Sequence, residues 1–193
     1  MKGPRESDLE ERIRAALSVR VEKPMNSDGL TPAAVLVPLF RKAGSHHVLF
    51  TKRTDLVKSH KGEISFPGGV FDKSDRTLRA TALRESYEEI GVKATDLEIL
   101  GCLDDVVTVT NYLVRPFVGF LPYPYPFVIS PKEIVEIIEV PLGALFERDR
   151  FDQKTIQSQG RERIIYTYRY GKHVIWGATA LILKQFLDLI DDW

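Results

Sequence analysis

The length and composition of the chain are those of a single globular domain. Of its 193 residues, 44% are hydrophobic and 28% are charged, which excludes a disordered or collagen-like chain. Lysine and arginine together number 27, and so do aspartate and glutamate, so the zero net charge gives no overall attraction to nucleic acid or to an anionic membrane.

The sequence carries no feature of a secreted or membrane protein. No run approaches the ~18 apolar residues that a membrane span needs. The single cysteine, Cys102, excludes an internal disulfide and suits a reducing compartment. Because it lies in an apolar stretch, we expect it to be a small buried hydrophobic residue and not a nucleophile. The N-terminal residues are acidic, unlike a signal or transit peptide, so we expect a cytoplasmic protein; they include Glu6, Asp8, Glu10 and Glu11.

The first part of the chain is predicted to contain one helix and three strands. Residues 1–30 hold an N-terminal helix and a lead-in, because a capping box at 7–10 is followed by apolar residues at helical spacing. We expect His46 and His47 to lie in solvent at the first strand turn, and Gly68 and Gly69 to form the turn before the next helix. The predicted strands are 33–40, 47–53 and 64–66.

The remainder of the chain is predicted to alternate in the same way. A helix begins near Ser74 or Asp75 and ends at Gly91, a favourable C-cap residue. No internal repeat or long linker interrupts the order, so the sequence predicts one α/β domain over residues 1–193. The later predicted elements are strands at 97–103, 113–121 and 134–140, a hairpin of 163–168 and 174–176, and a C-terminal helix at 179–190.

Three carboxylates stand together on the central helix. Glu85, Glu88 and Glu89 are spaced at i, i+3 and i+4, which places them on one face within about one turn. Their mutual repulsion, roughly 1 kcal/mol per close pair in water and more where solvent is excluded, would be relieved by a divalent cation such as Mg²⁺. The alternative is a solvated acidic face balanced by neighbouring basic residues. The glycines that end the loop at 66–69 favour the cation, because they let backbone approach a ligand closely.

The stretch that contains these glutamates, residues 69–92, resembles the Nudix box, G-x5-E-x7-R-E-U-x-E-E-x-G-U with U apolar. Residues 84–92 fit every place of the second half except Ser86, which is polar where the pattern has an apolar residue. The first half departs more, because fourteen residues instead of thirteen precede the arginine, and only Asp72 and Asp75 are available for the early glutamate. The box is found in hydrolases of nucleoside diphosphates linked to another moiety.

Residues 49–69 are similar to a second pattern, L-L-T-x-R-[S/A]-x3-R-x3-G-x3-F-P-G-G, which marks the coenzyme A pyrophosphatase branch of that family. Phe50, Thr54 and Lys58 depart from it, and Lys58 keeps the charge of the expected arginine but loses its planar two-point contact with phosphate. The branch also tolerates a box one residue longer. The C-terminal tail is similar to the end of that branch as well, and we expect its Trp176 to pack in the core. The matching residues are Leu49, Thr51, Arg53, Gly62, Phe66, Pro67, Gly68 and Gly69.

The resemblance implies a fold and a metal site. The fold is a Nudix-type α/β/α sandwich with a mixed central β-sheet and a loop-helix-loop that carries the box. By resemblance, Arg84 orients the box glutamates through a salt bridge. The residues implied to hold one or more Mg²⁺ or Mn²⁺ ions are Glu85, Glu88, Glu89 and the Gly69 carbonyl.

The resemblance identifies the general base and the substrate-binding residues less directly than it identifies the metal site. Glu85 is one candidate base, and Glu133 and Glu136 are others, because some Nudix enzymes use a carboxylate from a later loop. The alternative is that the latter two belong to a polar strand face. The candidate residues for binding substrate are Arg53, Lys58 and Gly68.

The function implied by both patterns is metal-dependent hydrolysis of the diphosphate bond of coenzyme A or its derivatives to 3′,5′-ADP and 4′-phosphopantetheine. One alternative is another nucleoside diphosphate derivative, such as ADP-ribose, NADH or a diadenosine polyphosphate. The other is a non-catalytic binding module of the same fold, which the three retained glutamates disfavour. The sequence leaves open whether two chains pair as a homodimer.

Overall fold

The structure, a computed structural model, describes residues 6–20, 29–55, 61–158 and 161–191. Within these ranges no helix is both long and apolar enough to cross a membrane. The helices are α1 (Glu6–Ser18), α2 (Leu78–Ile90), α3 (Leu142–Leu145) and α4 (Gly177–Asp191), with short 3-10 helices at Ala94–Asp96 and Arg148–Arg150. The strands are β1 (Thr31–Lys42), β2 (Ser45–Arg53), β3 (Ile64–Ser65), β4 (Gly68–Val70), β5 (Glu98–Cys102), β6 (Val106–Val107), β7 (Tyr112–Phe120), β8 (Ile134–Pro141), β9 (Phe151–Ser158), β10 (Arg161–Tyr170) and β11 (His173–Trp176).

The main sheet is mixed. Its strands follow the order β3-β2-β1-β7-β5, with β4 also paired to β1, β6 to β7 and β8 to β2. The central strand β1 pairs with β7 in parallel, so that Val35 lies opposite Pro116, whereas β2 and β4 run antiparallel to it. Most of β1 is buried, as expected of a nearly continuous apolar strand that is covered on both faces.

Helices cover both faces of this sheet. Along β1, Val37 and Leu39 belong to a large apolar cluster with residues of α1 and α4, whereas Phe40 belongs to a cluster with Ile90 of α2 on the opposite face. This arrangement is the α/β/α sandwich that the resemblance predicted, so that prediction is confirmed. A second sheet, of order β11-β10-β9, packs against α4, with Tyr168 of β10 in the large cluster.

Helix α2 carries the box and has a defined cap at each end. The start predicted at residue 74 or 75 is wrong: the helix begins at Leu78, because Thr77 is the N-cap residue and its hydroxyl accepts a hydrogen bond from an N–H of the first turn. The predicted end is confirmed, since Gly91 takes the left-handed conformation (φ 73°) that most side chains disfavour.

Several strand predictions need correction. Gly68 and Gly69 do not form a turn but begin strand β4, which pairs with β1. A pair of glycines shows only that two side chains are absent, so composition alone does not separate a turn from a closely packed strand. Strands β6 and β9 have no counterpart among the predictions, because β6 is two residues long and most of β9 is polar. The C-terminal helix begins at Gly177, two residues before the predicted start.

Predictions of burial were right for the cysteine and wrong for three other side chains. Cys102 is buried as expected. His46 and His47 are not in solvent but buried, because His46 contacts a glutamate of α1 (3.1 Å) and His47 stacks on an aromatic ring of β1. Trp176 is not in the core but 48% exposed, because it alternates along β11 with the buried Ile175 and therefore points outward.

Candidate active site

Three segments from distant parts of the chain meet at the C-terminal half of α2. The loop before β8 is bonded to the end of this helix, because the Ser130 N–H donates to the Glu89 carbonyl oxygen (2.9 Å). The same loop is bonded to the end of β2, because the Thr54 N–H donates to the Glu133 carbonyl oxygen (2.8 Å). These main-chain hydrogen bonds bring Glu133 and Arg53, the last residue of β2, to the acidic face of α2.

The two glycines of β4 let its backbone lie directly against this face and against β1. A Cβ atom at Gly69 would occupy the space of the Glu85 carboxylate, and one at Gly68 would collide with the Ala34 carbonyl oxygen on β1. The Gly68 N–H also favours the charged form of the Glu89 carboxylate, to which it is hydrogen-bonded. Both positions therefore require glycine because of close approach.

Glu89 carries a buried carboxylate that is only partly compensated. Its side chain is 1% exposed. Its Oε1 accepts a hydrogen bond from Arg53 Nη1 at 3.3 Å, whereas its Oε2 has no hydrogen-bond partner among the described residues. Burial raises the pKa of the Glu89 carboxyl to about 8, and the negative charges of Glu85 and Glu133 add to this against the attraction of Arg53. Such a group is suited to take up a cation or a proton.

Glu85 and Glu88 share one guanidinium. Arg84 Nη1 donates to Glu85 Oε1 at 2.8 Å and to Glu88 Oε2 at 3.0 Å. Burial raises the pKa of the Glu85 carboxyl, opposing the hydrogen bond from Arg84, and the nearby Glu88 and Glu133 act in the same direction as burial. Glu88 is half exposed. Arg84 therefore lies beside the box glutamates, as the resemblance implies.

The position of Arg84 is fixed by Asp75. Arg84 Nε and Nη2 donate to the two carboxylate oxygens of Asp75, each at 2.9 Å, and the Thr81 hydroxyl and the Asp72 N–H donate to Asp75 Oδ2. These hydrogen bonds, chiefly those from Arg84, hold the pKa of the Asp75 carboxyl at about 2. Asp75 is therefore the buried anchor of the arginine.

Asp75 is a site residue that the sequence analysis did not assign. Asp75 is the sixth residue after Gly69, which is the place of the early glutamate in the box. Aspartate is one methylene shorter than glutamate, and the extra residue of this box lies between Asp75 and Arg84. The spacing from Gly69 was therefore the available signal. The sequence alone does not show on which side of Asp75 the extra residue lies, and this obscured the match.

The two late carboxylates are separated by the structure. Glu133 raises the pKa of both Glu85 and Glu89 by charge repulsion, so it lies close to the acidic face. Glu136 is three residues further, on β8, where its carboxylate lies 3.5 Å from His173 Nε2 and 3.7 Å from Lys172 Nζ. Only Glu133 of this pair is placed with the box glutamates.

The oxygen atoms of this face fit a hard divalent cation in their chemistry. They include three carboxylates, one with a buried unpartnered oxygen, and the glycine strand leaves room beside Glu85. In the described parts of the chain, no three acidic, histidine or cysteine side chains converge closely enough to hold an ion as they stand. Arg84 Nη1 bridges Glu85 and Glu88 in this arrangement, so an ion held by both would have to replace those contacts.

The candidate substrate-binding residues are only partly placed. Arg53 and Gly68 both contact Glu89 and so lie at the site. Lys58 lies outside the described residues, so its assignment stays a prediction.

The comparisons with known proteins agree with the geometry of the site. The family model described as the NUDIX domain matches residues 30–158, a range that contains both sequence patterns and every site residue described above. The chain belongs to the Nudix family. Nudix hydrolases generally use divalent metal ions such as Mg²⁺, which agrees with the oxygen-rich face of α2.

Two Nudix relatives cover most of the chain. A protein named as an uncharacterized Nudix hydrolase, NudL, from Photorhabdus laumondii subsp. laumondii is 37% identical over 164 residues, which are 85% of this chain and 87% of the relative. NudL from Enterobacter sp. (strain 638) is 35% identical over 153 residues, 79% of each chain. Both relatives are named as hydrolases, and neither name states a substrate.

Solved Nudix structures share the fold. A MutT/nudix family protein from Enterococcus faecalis has a TM-score of 0.56 at 15% identity, covering 100% of this chain and 76% of that one. The C. elegans Ap4A hydrolase in a binary complex has a TM-score of 0.51 at 21% identity, covering 57% of this chain and 80% of that one. At these identities the similarity shows the fold alone.

Proposed function

We propose that this Nudix hydrolase cleaves the diphosphate bond of coenzyme A or its thioesters, releasing 3′,5′-ADP and 4′-phosphopantetheine or its acyl derivative. The observation that carries the proposal is the contact of Arg53 Nη1 with Glu89 Oε1 at 3.3 Å. Arg53 belongs to the coenzyme A-type pattern and Glu89 to the Nudix box, so the two patterns contribute to one site.

One departure from the coenzyme A-type pattern lies away from the chemistry. Phe50, which replaces a leucine of the pattern, is fully buried and stacks on Phe66 with 4.7 Å between ring centroids. Its side chain belongs to the cluster on the face opposite α2. The substitution is therefore a change of core packing and does not weigh against the proposed substrate.

The substrate diphosphate is anionic and needs positive charge to bind. Arg53 supplies a guanidinium at the site, and the pattern assigns Lys58 to the same task. Mg²⁺ or Mn²⁺ held by Glu85, Glu88 and Glu89 would neutralise the phosphate oxygens. Arg84 acts as a positioning residue, because its own position is fixed by Asp75 while its Nη1 contacts Glu85 and Glu88.

The reaction requires a group that takes a proton from water. The water oxygen forms a bond to one phosphorus, the bridging P–O bond breaks, and the leaving phosphate keeps the electron pair. Glu133 is our first choice for the base and Glu85 the alternative. The raised pKa of the Glu85 carboxyl makes it a stronger base than an ordinary glutamate, whereas Glu133 lies on a loop that is bonded to both β2 and α2.

A second candidate function is hydrolysis of another nucleoside diphosphate derivative. The observation in its favour is Lys58, because lysine lacks the two-point contact that the pattern's arginine makes with phosphate. ADP-ribose, NADH and a diadenosine polyphosphate are the substrates to compare. A binding module without catalysis is disfavoured by the retention of all three box glutamates.

Product analysis tests the proposal directly. The purified protein and Glu89→Gln are incubated with Mg²⁺ or Mn²⁺ and, separately, with coenzyme A, ADP-ribose, NADH and a diadenosine polyphosphate, and the products are separated by chromatography. We expect metal-dependent release of 3′,5′-ADP from coenzyme A by the wild type alone. Faster cleavage of another substrate would keep the hydrolase and reject coenzyme A, and an active Glu89→Gln variant would reject the assigned site.

A further inference from the structure

Unpartnered polar atoms are concentrated beside the acidic face of α2. In the described residues, six buried side-chain nitrogen or oxygen atoms have no hydrogen-bond partner, and three of them are Arg53 Nε, Ser65 Oγ and Glu89 Oε2. Buried polar atoms in proteins are almost always hydrogen-bonded, so each exception requires an explanation. Arg53 and Glu89 have an assigned role at the site, whereas Ser65 has none.

Strand pairing places Ser65 next to Arg53. In the register of β2 with β3, Thr51 lies opposite Ser65, and the Thr51 hydroxyl donates to the Ser65 carbonyl oxygen (3.2 Å). The side chain of Arg53, two residues beyond Thr51, lies on the α2 side, because it contacts Glu89, and the Arg53 N–H donates to the Glu63 carbonyl oxygen (2.9 Å). Arg53 and Ser65 are thus diagonal neighbours on adjacent strands, within reach of one bridging group.

The packing shows that this shared face is the one that carries α2. Leu49, two residues before Thr51, belongs to the cluster with Ile90 of α2. Ile64 and Phe66, which flank Ser65, belong to the cluster on the opposite face. Because side chains alternate along a strand, Ser65 points toward the α2 side, where Arg53 meets Glu89.

The chemistry of the three atoms indicates what would satisfy them. Arg53 Nε–H and the Ser65 hydroxyl are two hydrogen-bond donors, and an anionic oxygen accepts from both. Glu89 Oε2 is an acceptor that would hold a cation if one were bound, so it cannot bind the same oxygen except through a cation or a proton. Two donors beside one carboxylate are therefore complementary to a phosphate group that has a cation on its other side.

We propose that Ser65 is a further substrate-binding residue, whose hydroxyl and the Nε–H of Arg53 together hold one phosphoryl oxygen of the substrate diphosphate. The inference rests on the proposed cleavage of a diphosphate and adds a residue that neither sequence pattern specifies. A water molecule that bridges the same atoms is the competing explanation, and it predicts no effect of Ser65 on ligand affinity.

Calorimetric titration with ADP, in the presence of Mg²⁺, tests the proposal without requiring turnover. Ser65→Ala removes the hydroxyl, and we expect the Kd for ADP to rise about tenfold, the scale of one hydrogen bond to a charged group. Ser65→Thr keeps a hydroxyl and should restore the Kd to within a few-fold of the wild type. Mn²⁺ is titrated separately without nucleotide, and its Kd should be unchanged in Ser65→Ala.

Thr51→Val is the matched control. It also removes a buried hydroxyl from the β2–β3 pair, but the Thr51 hydroxyl already bonds the main chain, so we expect a lower Tm and an unchanged Kd for ADP. An equal rise of the Kd for ADP in Thr51→Val would reduce the Ser65 effect to strand packing and reject the proposal. An equal rise of the Mn²⁺ Kd in Ser65→Ala would assign the hydroxyl to the cation and reject it too.

The failure of this inference and that of the proposed function are distinguishable. If the wild type binds ADP and Ser65→Ala weakens it, but coenzyme A is not hydrolysed, the phosphate contact stands and the coenzyme A proposal fails. If coenzyme A is hydrolysed and Ser65→Ala leaves both the KM and the Kd for ADP unchanged, the contact is rejected alone. Absence of ADP binding by the wild type rejects the contact as well.

Discussion

Two arginines contact the carboxylates of the Nudix box, and they are bonded in different ways. Arg84 makes a two-point pair with Asp75 and donates further to Glu85 and Glu88. Arg53 makes one long contact with Glu89 (3.3 Å) and leaves its own Nε and the second oxygen of the glutamate without partners in the described structure.

The carboxyl groups bonded to these two arginines differ in pKa. Hydrogen bonds from Arg84 lower the pKa of the Asp75 carboxyl to about 2, whereas burial raises the pKa of the Glu89 carboxyl to about 8 in spite of Arg53. A fully bonded pair stabilises the fold and has no capacity left for a ligand. The pair of Arg53 and Glu89, in which each side chain keeps an unpartnered atom, retains that capacity. We therefore expect the first pair to act on stability and the second on ligand binding.

The largest effect on turnover is expected from Glu89→Gln. Glutamine cannot ligate a cation as a carboxylate does, so we expect the rate to fall about a thousandfold, on the scale of a lost electrostatic group. The Tm without added metal should stay close to that of the wild type, because glutamine resembles the neutral carboxyl that the raised pKa favours. Steady-state rates and thermal unfolding together check this, and a large loss of Tm would place Glu89 with the scaffold.

A smaller loss is expected from Glu133→Gln. If Glu133 takes the proton of the attacking water, its loss should lower kcat about a hundredfold with little change in KM. Glu136→Gln is the matched control, because Glu136 lies three residues away and is paired with Lys172 and His173. Equal rates in Glu133→Gln and the control would transfer the role to Glu85.

The Arg53 variants separate charge from geometry. We expect Arg53→Ala to raise KM about thirtyfold, the scale of a hydrogen bond to a charged group. Arg53→Lys keeps the charge but lacks the Nε donor and should recover only part of the loss. Full recovery by lysine would show that charge alone matters at this position, and would contradict a role for the Nε–H of Arg53.

The smallest effect on turnover is expected from Asp75→Asn, which acts on stability. The pKa of Asp75 is about 2 in the fold, against an ordinary value of 3.8 for an aspartate, so its ionised form contributes about 2 kcal/mol above pH 3.8. Because the folded pKa is the lower one, this contribution is present above the unfolded value and is lost as pH falls through about 2. Denaturant unfolding of both proteins should show a difference at pH 7 that shrinks below pH 3.8.

Two acidic residues show how much of the candidate site can be predicted from the sequence. Glu85 could be assigned from the box alone, because residues within one helix turn keep a fixed spatial relation. Glu133 could be offered only together with Glu136, since its placement depends on main-chain bonds of its loop to β2 and α2 that no local pattern specifies.

The fold shows the same limit. Long apolar strands such as β1 were predicted, because burial on both faces leaves a continuous signal. The sequence predicts a turn where the structure has the glycine strand β4, and a core position for the exposed Trp176, because each outcome depends on what lies opposite in space. Ser65 has no signal in the sequence for the same reason: the role proposed for it depends on the register of β3 against β2.

The loop that carries Glu133 has a consequence for local unfolding. Its bonds to the end of α2 and to the end of β2 (Ser130 N–H and Thr54 N–H) close it into the same cooperative unit as those elements. In amide hydrogen exchange, these two N–H groups should therefore exchange with the protection of α2 itself and not as a surface loop. Opening of the loop would therefore have to break its bonds to both elements.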